Sequence, residues 1–169
     1  PGGPSLDFTL QGDSSVDSEK MTSFELGYRV RVNSRLSFDV ALFRSRYDDL
    51  VEGVQQGLML TFTNRSSADV QGGEVAVQWR PTDVWRVAAS YSLVDMDVRP
   101  VNDLAGETPQ QQASVQSYWS ITPHLEFSGV VSFVDELTFH AAPSYVRLDL
   151  GMIWQPRANL EFGLFGQNL

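Results

Sequence analysis

From Lys20 onward, apolar side chains recur at every second position, in runs longer than a globular strand needs. In Lys20–Val32, residues Phe24, Leu26, Tyr28, Val30 and Val32 share one parity; Ser23, Glu25, Gly27, Arg29 and Arg31 share the other. A helix is a poor fit, because apolar residues at alternate positions would ring it instead of forming a stripe. A strand sorts the same residues onto one apolar and one polar face. The pattern returns in Leu36–Leu42, Trp85–Leu93, Ala113–Trp119, Leu125–Phe133, Val146–Trp154 and Leu160–Leu164.

The stretch Gly57–Arg80 changes parity along its length. Leu58, Leu60 and Phe62 are even; Val75, Val77 and Trp79 are odd. One extra residue is needed, and Gly72–Gly73 is the least costly place for a β-bulge in a single long strand. Two strands joined at Asn64–Asp69 are the alternative. The count is then about eight strands, many of about 11 to 13 residues, where globular domains use about 5 to 6. At ~3.3 Å per residue such strands reach ~40 Å, too tall for a small sandwich.

The connections alternate between two classes. Short ones fall at Asn33–Ser34, Pro81–Asp83, Thr122–Pro123 and Pro156–Arg157; long ones fall at Asp48–Gln56, Val98–Glu107 and Glu136–Ser144. An up-and-down sheet with short turns at one end and long loops at the other matches a transmembrane β-barrel wall. The chain's four tryptophans, Trp79, Trp85, Trp119 and Trp154, all adjoin short turns and all lie on the apolar parity. An indole is apolar in body and polar at one edge, so these positions predict a belt at one membrane interface. Arg44 and Arg46 continue the apolar parity of Leu36–Leu42 toward the far end. With strand tilt they lie roughly 20 to 25 Å from the Asn33 turn, where lipopolysaccharide phosphates would meet them.

Composition narrows the remaining classes. A formal charge of -9 argues against nucleic acid as a partner. No cysteine and only two histidines, His124 and His140, leave no expected metal centre and no expected cofactor. No run of ~18 apolar residues predicts a membrane-spanning helix. The opening Pro1-Gly2-Gly3-Pro4, with no initiator methionine and no signal peptide, reads as a piece of something longer. No catalytic constellation emerges, so an enzyme is not expected. Gly12–Ser15 lacks the strand-turn-helix setting of a nucleophile turn. Glu25 with Asp39, and Arg147 with Asp149, read as charges lining a wet or plugged lumen. Asn64-Arg65-Ser66 has the form of a glycosylation sequon, which carries no meaning in a bacterial envelope. His140, with Phe139 in the loop Glu136–Ser144, is the candidate ligand contact. His124 has no assigned role. Asp48, Asp49, Glu52, Asp95, Asp97, Asp103, Glu107, Asp135 and Glu136 make the long-loop end acidic.

Several pieces are familiar together. Phe24–Arg29 (FELGYR), Leu36–Val51, Gly72–Asp95, Thr108–Trp119, Tyr145–Pro156 and Gly166–Leu169 (GQNL) resemble the barrel of TonB-dependent outer-membrane receptors. The resemblance runs from about Gln11 to Leu169, with two departures: Gly73 stands where the family usually carries a branched apolar residue, and the family's plug, TonB box and terminal aromatic residue are not in this sequence. It implies a wall of about 22 strands around a plug, of which this chain supplies the C-terminal third, lacking the last strand or two. It also implies a plug domain and TonB as partners, and a cargo whose commonest class is a ferric siderophore. Lacking a plug, the chain alone is not expected to transport.

The expected architecture is therefore all-β: an antiparallel up-and-down transmembrane β-barrel segment of about eight long strands. Residues 1–19 are expected to form a leading outer loop segment and residues 20–169 the barrel strands. The expected location is the outer membrane of a Gram-negative bacterium. Two alternatives remain open. A complete eight-stranded barrel could serve as a structural anchor or adhesin, and a soluble lipocalin-like binder would reverse the two faces.

Overall fold

The computed structural model describes residues 9–11, 13–100 and 106–169. Asp103, and residues 1–8 and 12 of the leading segment, lie outside the described residues. Nine strands are described: β1 (Thr9–Gln11), β2 (Lys20–Asn33), β3 (Leu36–Gln56), β4 (Met59–Thr82), β5 (Trp85–Arg99), β6 (Gln111–Thr122), β7 (Leu125–Val134), β8 (Tyr145–Arg157) and β9 (Leu160–Gly166). Strands β2 to β9 form one antiparallel meander in sequence order. The short β1 lies off this path, parallel to β4, with Thr9 opposite Met59. No pairing joins β2 to β9 among the described residues, so the sheet is curved but open. An eight-stranded barrel closed on itself would require that pairing.

All four short connections are two-residue turns: Ser34–Arg35, Asp83–Val84, Pro123–His124 and Ala158–Asn159. Each follows a register irregularity that places one extra residue on the incoming strand. Pro81 and Pro156 sit in two of these irregularities, where a missing N–H removes no regular ladder bond. The turns are linked sideways. The N–H of Arg80 donates to the Arg35 carbonyl (2.7 Å), that of Ser120 to Val84 (2.8 Å), and that of Gln155 to His124 (2.8 Å). The Arg35 guanidinium also reaches Asp83 on the next turn at 3.0 Å.

Two sequence expectations need correction. Asp48–Gln56 is not a long loop. It is the upper part of β3, and the chain reverses at Gly57–Leu58, where Gly57 has φ 64°. The bulge is not at Gly72–Gly73, because the ladder runs unbroken through both glycines on both sides. Those glycines make room instead. A Cβ on Gly72 would overlap the Leu93 carbonyl oxygen and lie 2.5 Å from the Phe43 ring, and one on Gly73 would lie 2.8 Å from Leu42.

The parity switch is real but occurs higher, and it is double. Asp48 and Asp49 together face Ser67, then Arg65 is extra on β4 between the pairs Leu50–Ser66 and Val51–Asn64. Asp49 adopts φ 59° there, the left-handed region that Asp tolerates better than most residues. The two insertions cancel in register, yet each strand exchanges its faces on passing them. One continuous strand, β4, therefore carries both parities.

Candidate functional site

The two faces of the sheet have opposite chemistry over most of their height. One register row reads Arg29, Asp39, Ala76, Ser90, Ser114, Ser132 and Arg147 across β2 to β8. This face is the concave one. It bounds a recess of about 650 Å³ lined by Asp39, Glu74, Ser90, Gln112, Ser132 and Arg147, among others. Small residues fill the middle of the row, and an ion pair closes each end. Arg29 pairs with Asp39, and Arg147 with Asp149 at 2.6 Å. The convex face opposite is apolar: Leu26, Leu42, Gly73 and Leu93 stand side by side, with Tyr28, Val40, Val75 and Tyr91 one step below. An apolar outside and a polar inside is the reverse of a lipocalin-like binder.

The apolar band ends on β3 to β5 at one height and one step higher on β2. One register step above Leu42, the convex face reads Phe24, Arg44, Gln71, Asp95; the next step reads Thr22, Arg46, Asp69, Asp97. Ion pairs knit this rim together. Arg46 reaches Asp48 at 3.0 Å, and Arg44 and Arg99 each lie 3.9 Å from Asp69. Arg99 also contacts Asp97 at 2.5 Å, and its guanidinium pKa is raised chiefly by that hydrogen bond and that charge. Arg44 and Arg46 are thus where their parity placed them, but paired with carboxylates. Arg99 and Asp69 were missed, because their parity continues past Leu93 and Gly73 into what read as loop or bulge.

Above the same line the concave face turns apolar, with Phe43, Val70, Val94, Met96 and Val98. Among the described residues the buried side chains are Ser45 (8% exposed), Ser66 (2%), Ala68 (6%) and Val98 (4%), and all four lie here. Strands β3 to β5 therefore exchange their polar and apolar faces at one height, and a polar outer face there is what a wall needs where its outside passes from hydrocarbon to water.

At the opposite end stand the tryptophans. All four are on the convex face beside the two-residue turns, 36–48% exposed. Trp79 and Trp85 rings are 6.0 Å apart, Trp85 is the register partner of Trp119, and Trp154 stacks on Phe162 at 5.7 Å. Phe127, opposite Trp119, and Phe162 extend the row into an aromatic girdle. Parity alone could have found both.

Phe139 and His140 lie at the long-loop end, in a tight turn closed by pairing of Leu137 with Ala142. Their rings meet edge to face at 4.9 Å, and the Phe139 N–H donates to the Gly106 carbonyl at 3.1 Å. Two connections thus touch, and the pair projects from their junction with Phe139 exposed. His124 is a turn residue whose backbone alone is used, its N–H held by Thr122 at 3.2 Å. No group of three or more potential metal ligands occurs among the described residues.

The family model described as TonB dependent receptor-like, beta-barrel matches residues 2–169. The chain belongs to the TonB-dependent receptor family. This is a family of receptors and transporters, not of enzymes. The chain is 21% identical to the probable TonB-dependent siderophore receptor PiuA of Acinetobacter baumannii, over 91% of this chain and 23% of PiuA. The fold is similar to that of the ferric-catecholate import receptor Fiu from E. coli K12 (TM-score 0.72, 22% identity, 100% of this chain and 27% of that one). It is also similar to the FrpB iron transporter of Neisseria meningitidis (TM-score 0.75, 12% identity, 95% and 28%). The chain spans about a quarter of the length of each of these proteins.

Proposed function

We propose that the chain is part of the outer-membrane barrel of a receptor that imports a scarce ligand, a ferric siderophore, into a Gram-negative cell. The observation that carries this reading is the two-sided wall: an apolar convex band between an aromatic girdle and a charged rim, backed by a polar concave face. A polar ligand can move along such a lining, and lipid can wet only the other side. The names of the relatives, a siderophore receptor and a ferric-catecholate import receptor, supply the cargo class. On this reading a plug domain and TonB complete the machine. Trp79, Trp85, Trp119 and Trp154 mark the interface on the short-turn side. Arg44 and Arg46 meet lipopolysaccharide phosphates on the other, exchanging their aspartate partners for phosphate oxygens. Phe139 and His140 touch the cargo at the rim, an aromatic face and an imidazole suiting an aromatic chelator.

Uptake of radioactive iron by cells lacking the intact receptor tests this. Accumulation from a catecholate or a hydroxamate complex should fall on deletion and return with the intact gene. Cells carrying Phe139→Ala with His140→Ala should need more complex for half-maximal uptake. Unchanged accumulation from both complexes would remove the siderophore reading.

A further inference from the structure

We propose that residues 13–20 are a strap that holds the tall β3–β4 arm in place, with the Asn64 side chain as its clasp. The arm is the part of the hairpin above the paired bulges. Strand β2 stops opposite Asp48 and β5 stops opposite Ser67, so the main sheet supports neither edge of the arm above them. A two-stranded hairpin in water is marginal by itself. The chain before β2 supplies what the sheet does not. β1 pairs with the outer edge of β4 at Met59–Thr61, and β2 begins on the outer edge of β3. The connection between them must cross one face of the arm.

Asn64 receives that crossing. Its Oδ1 accepts the Asp17 N–H at 2.7 Å, and its Nδ2 donates to the Asp17 carbonyl at 3.0 Å and to the Asp49 carbonyl at 2.6 Å. One amide thus joins the strap, β3 and β4. The bulges make this possible. Left-handed Asp49 turns its carbonyl out of the ladder, and the extra Arg65 re-aims Asn64. Two further contacts follow in sequence. Glu19 Oε1 accepts the Val51 N–H at 2.8 Å, capping the edge of β3 just above the end of β2, and Lys20 Nζ reaches Asp49 at 2.7 Å. That carboxylate is the main cause of a raised Lys20 pKa. At the strap's start, Asp13 accepts the Ser15 N–H at 2.8 Å and closes the turn that launches it.

The consequence is that Asn64 is a positioning residue, and that the arm and the segment before β2 move as one body. Amide hydrogen exchange on the intact receptor in detergent reads this directly. In the wild type, the amides of Asp17, Val51 and Met59–Thr61 should exchange slowly. Asn64→Ala should speed them by about tenfold or more and leave Leu36–Leu42 and Trp85–Leu93 unchanged, because local opening is confined to its own cooperative unit. Asn64→Asp keeps the acceptor but loses both donors, and should release the arm as alanine does. Glu19→Ala should release Val51 alone. Correct folding of each variant is checked by the change in gel mobility on boiling. Should Asn64→Ala fail to fold, the wild-type map still decides. Fast exchange at Asp17 and Val51 in the wild type, or an arm equally protected with and without Asn64, would overturn the strap.

Discussion

Strands β2 to β5 have 14, 21, 24 and 15 residues; β6 to β8 have 12, 10 and 13. The difference is not in the apolar band. Trp85–Leu93 in the first group matches Leu125–Phe133 and Val146–Trp154 in the second, each with five outward positions. Nine residues cover about 26 Å along a strand, and somewhat less along the normal of a tilted one, close to the ~25 Å apolar height of outer-membrane barrels. What differs lies above the rim. There β6 to β8 give way to loops, whereas β3 and β4 continue as a hydrogen-bonded arm. On the proposed reading the membrane fixes one part of each strand, and the other part is free to become either arm or loop.

The largest expected effect tests whether the band is the shared part. Ala89→Arg, at mid-band on β5, should destabilise the intact receptor in lipid vesicles by about 2–4 kcal/mol, and Asp97→Arg, within the charged rim, by about 0–1 kcal/mol. Denaturant titration measures both, and equal costs would erase the rim. Bromines at known lipid depths should quench tryptophan most strongly near the headgroups; strongest quenching at the bilayer centre would erase the girdle. Next in size is the tight approach in the taller group. Gly72→Val should cost about 1–3 kcal/mol by overpacking. Gly27→Ala, whose new Cβ would meet only the Val40 carbonyl oxygen at 4.0 Å, should stay within about 0.5 kcal/mol. A costless Gly72→Val would return the bulge to that site. The smallest effect belongs to the rim. Arg44→Ala with Arg46→Ala should weaken lipopolysaccharide binding several-fold at low salt, less at high salt, with folding in neutral detergent unchanged. Unaltered binding at low salt would leave these arginines as ion-pair partners of Asp69 and Asp48 only.

The band was legible because its cause is local: each residue takes the convex or the concave face by parity alone. So were the turns, to within one or two residues, and the four tryptophans beside them; Pro156–Arg157 end β8, and the chain reverses just after them at Ala158–Asn159. The arm was not. Asp48, Asp49, Glu52 and Gly53 have loop composition, and only their place opposite Ser67–Met59 of β4 makes them strand. The bulge was misplaced for a related reason. Glycine is a local cue, whereas the true site at Arg65 is fixed by a compensating insertion at Asp48–Asp49 on the partner. Asn64 shows the same limit. As a tripeptide it resembles a sequon, and its partners lie 15 and 47 positions away.

The sideways bonds between turns have a consequence for how such a wall is counted. Arg80 bonds back to Arg35, Ser120 to Val84 and Gln155 to His124, and every link is the same step. Each hairpin offers a carbonyl to its successor and an N–H to its predecessor, a head-to-tail association like that of subunits in a ring or filament. Nothing in one link says how many have gone before it. A repeat of this kind ends only when accumulated tilt and stagger bring the last edge round to the first. The circumference therefore belongs to the whole polypeptide, and no single hairpin encodes it.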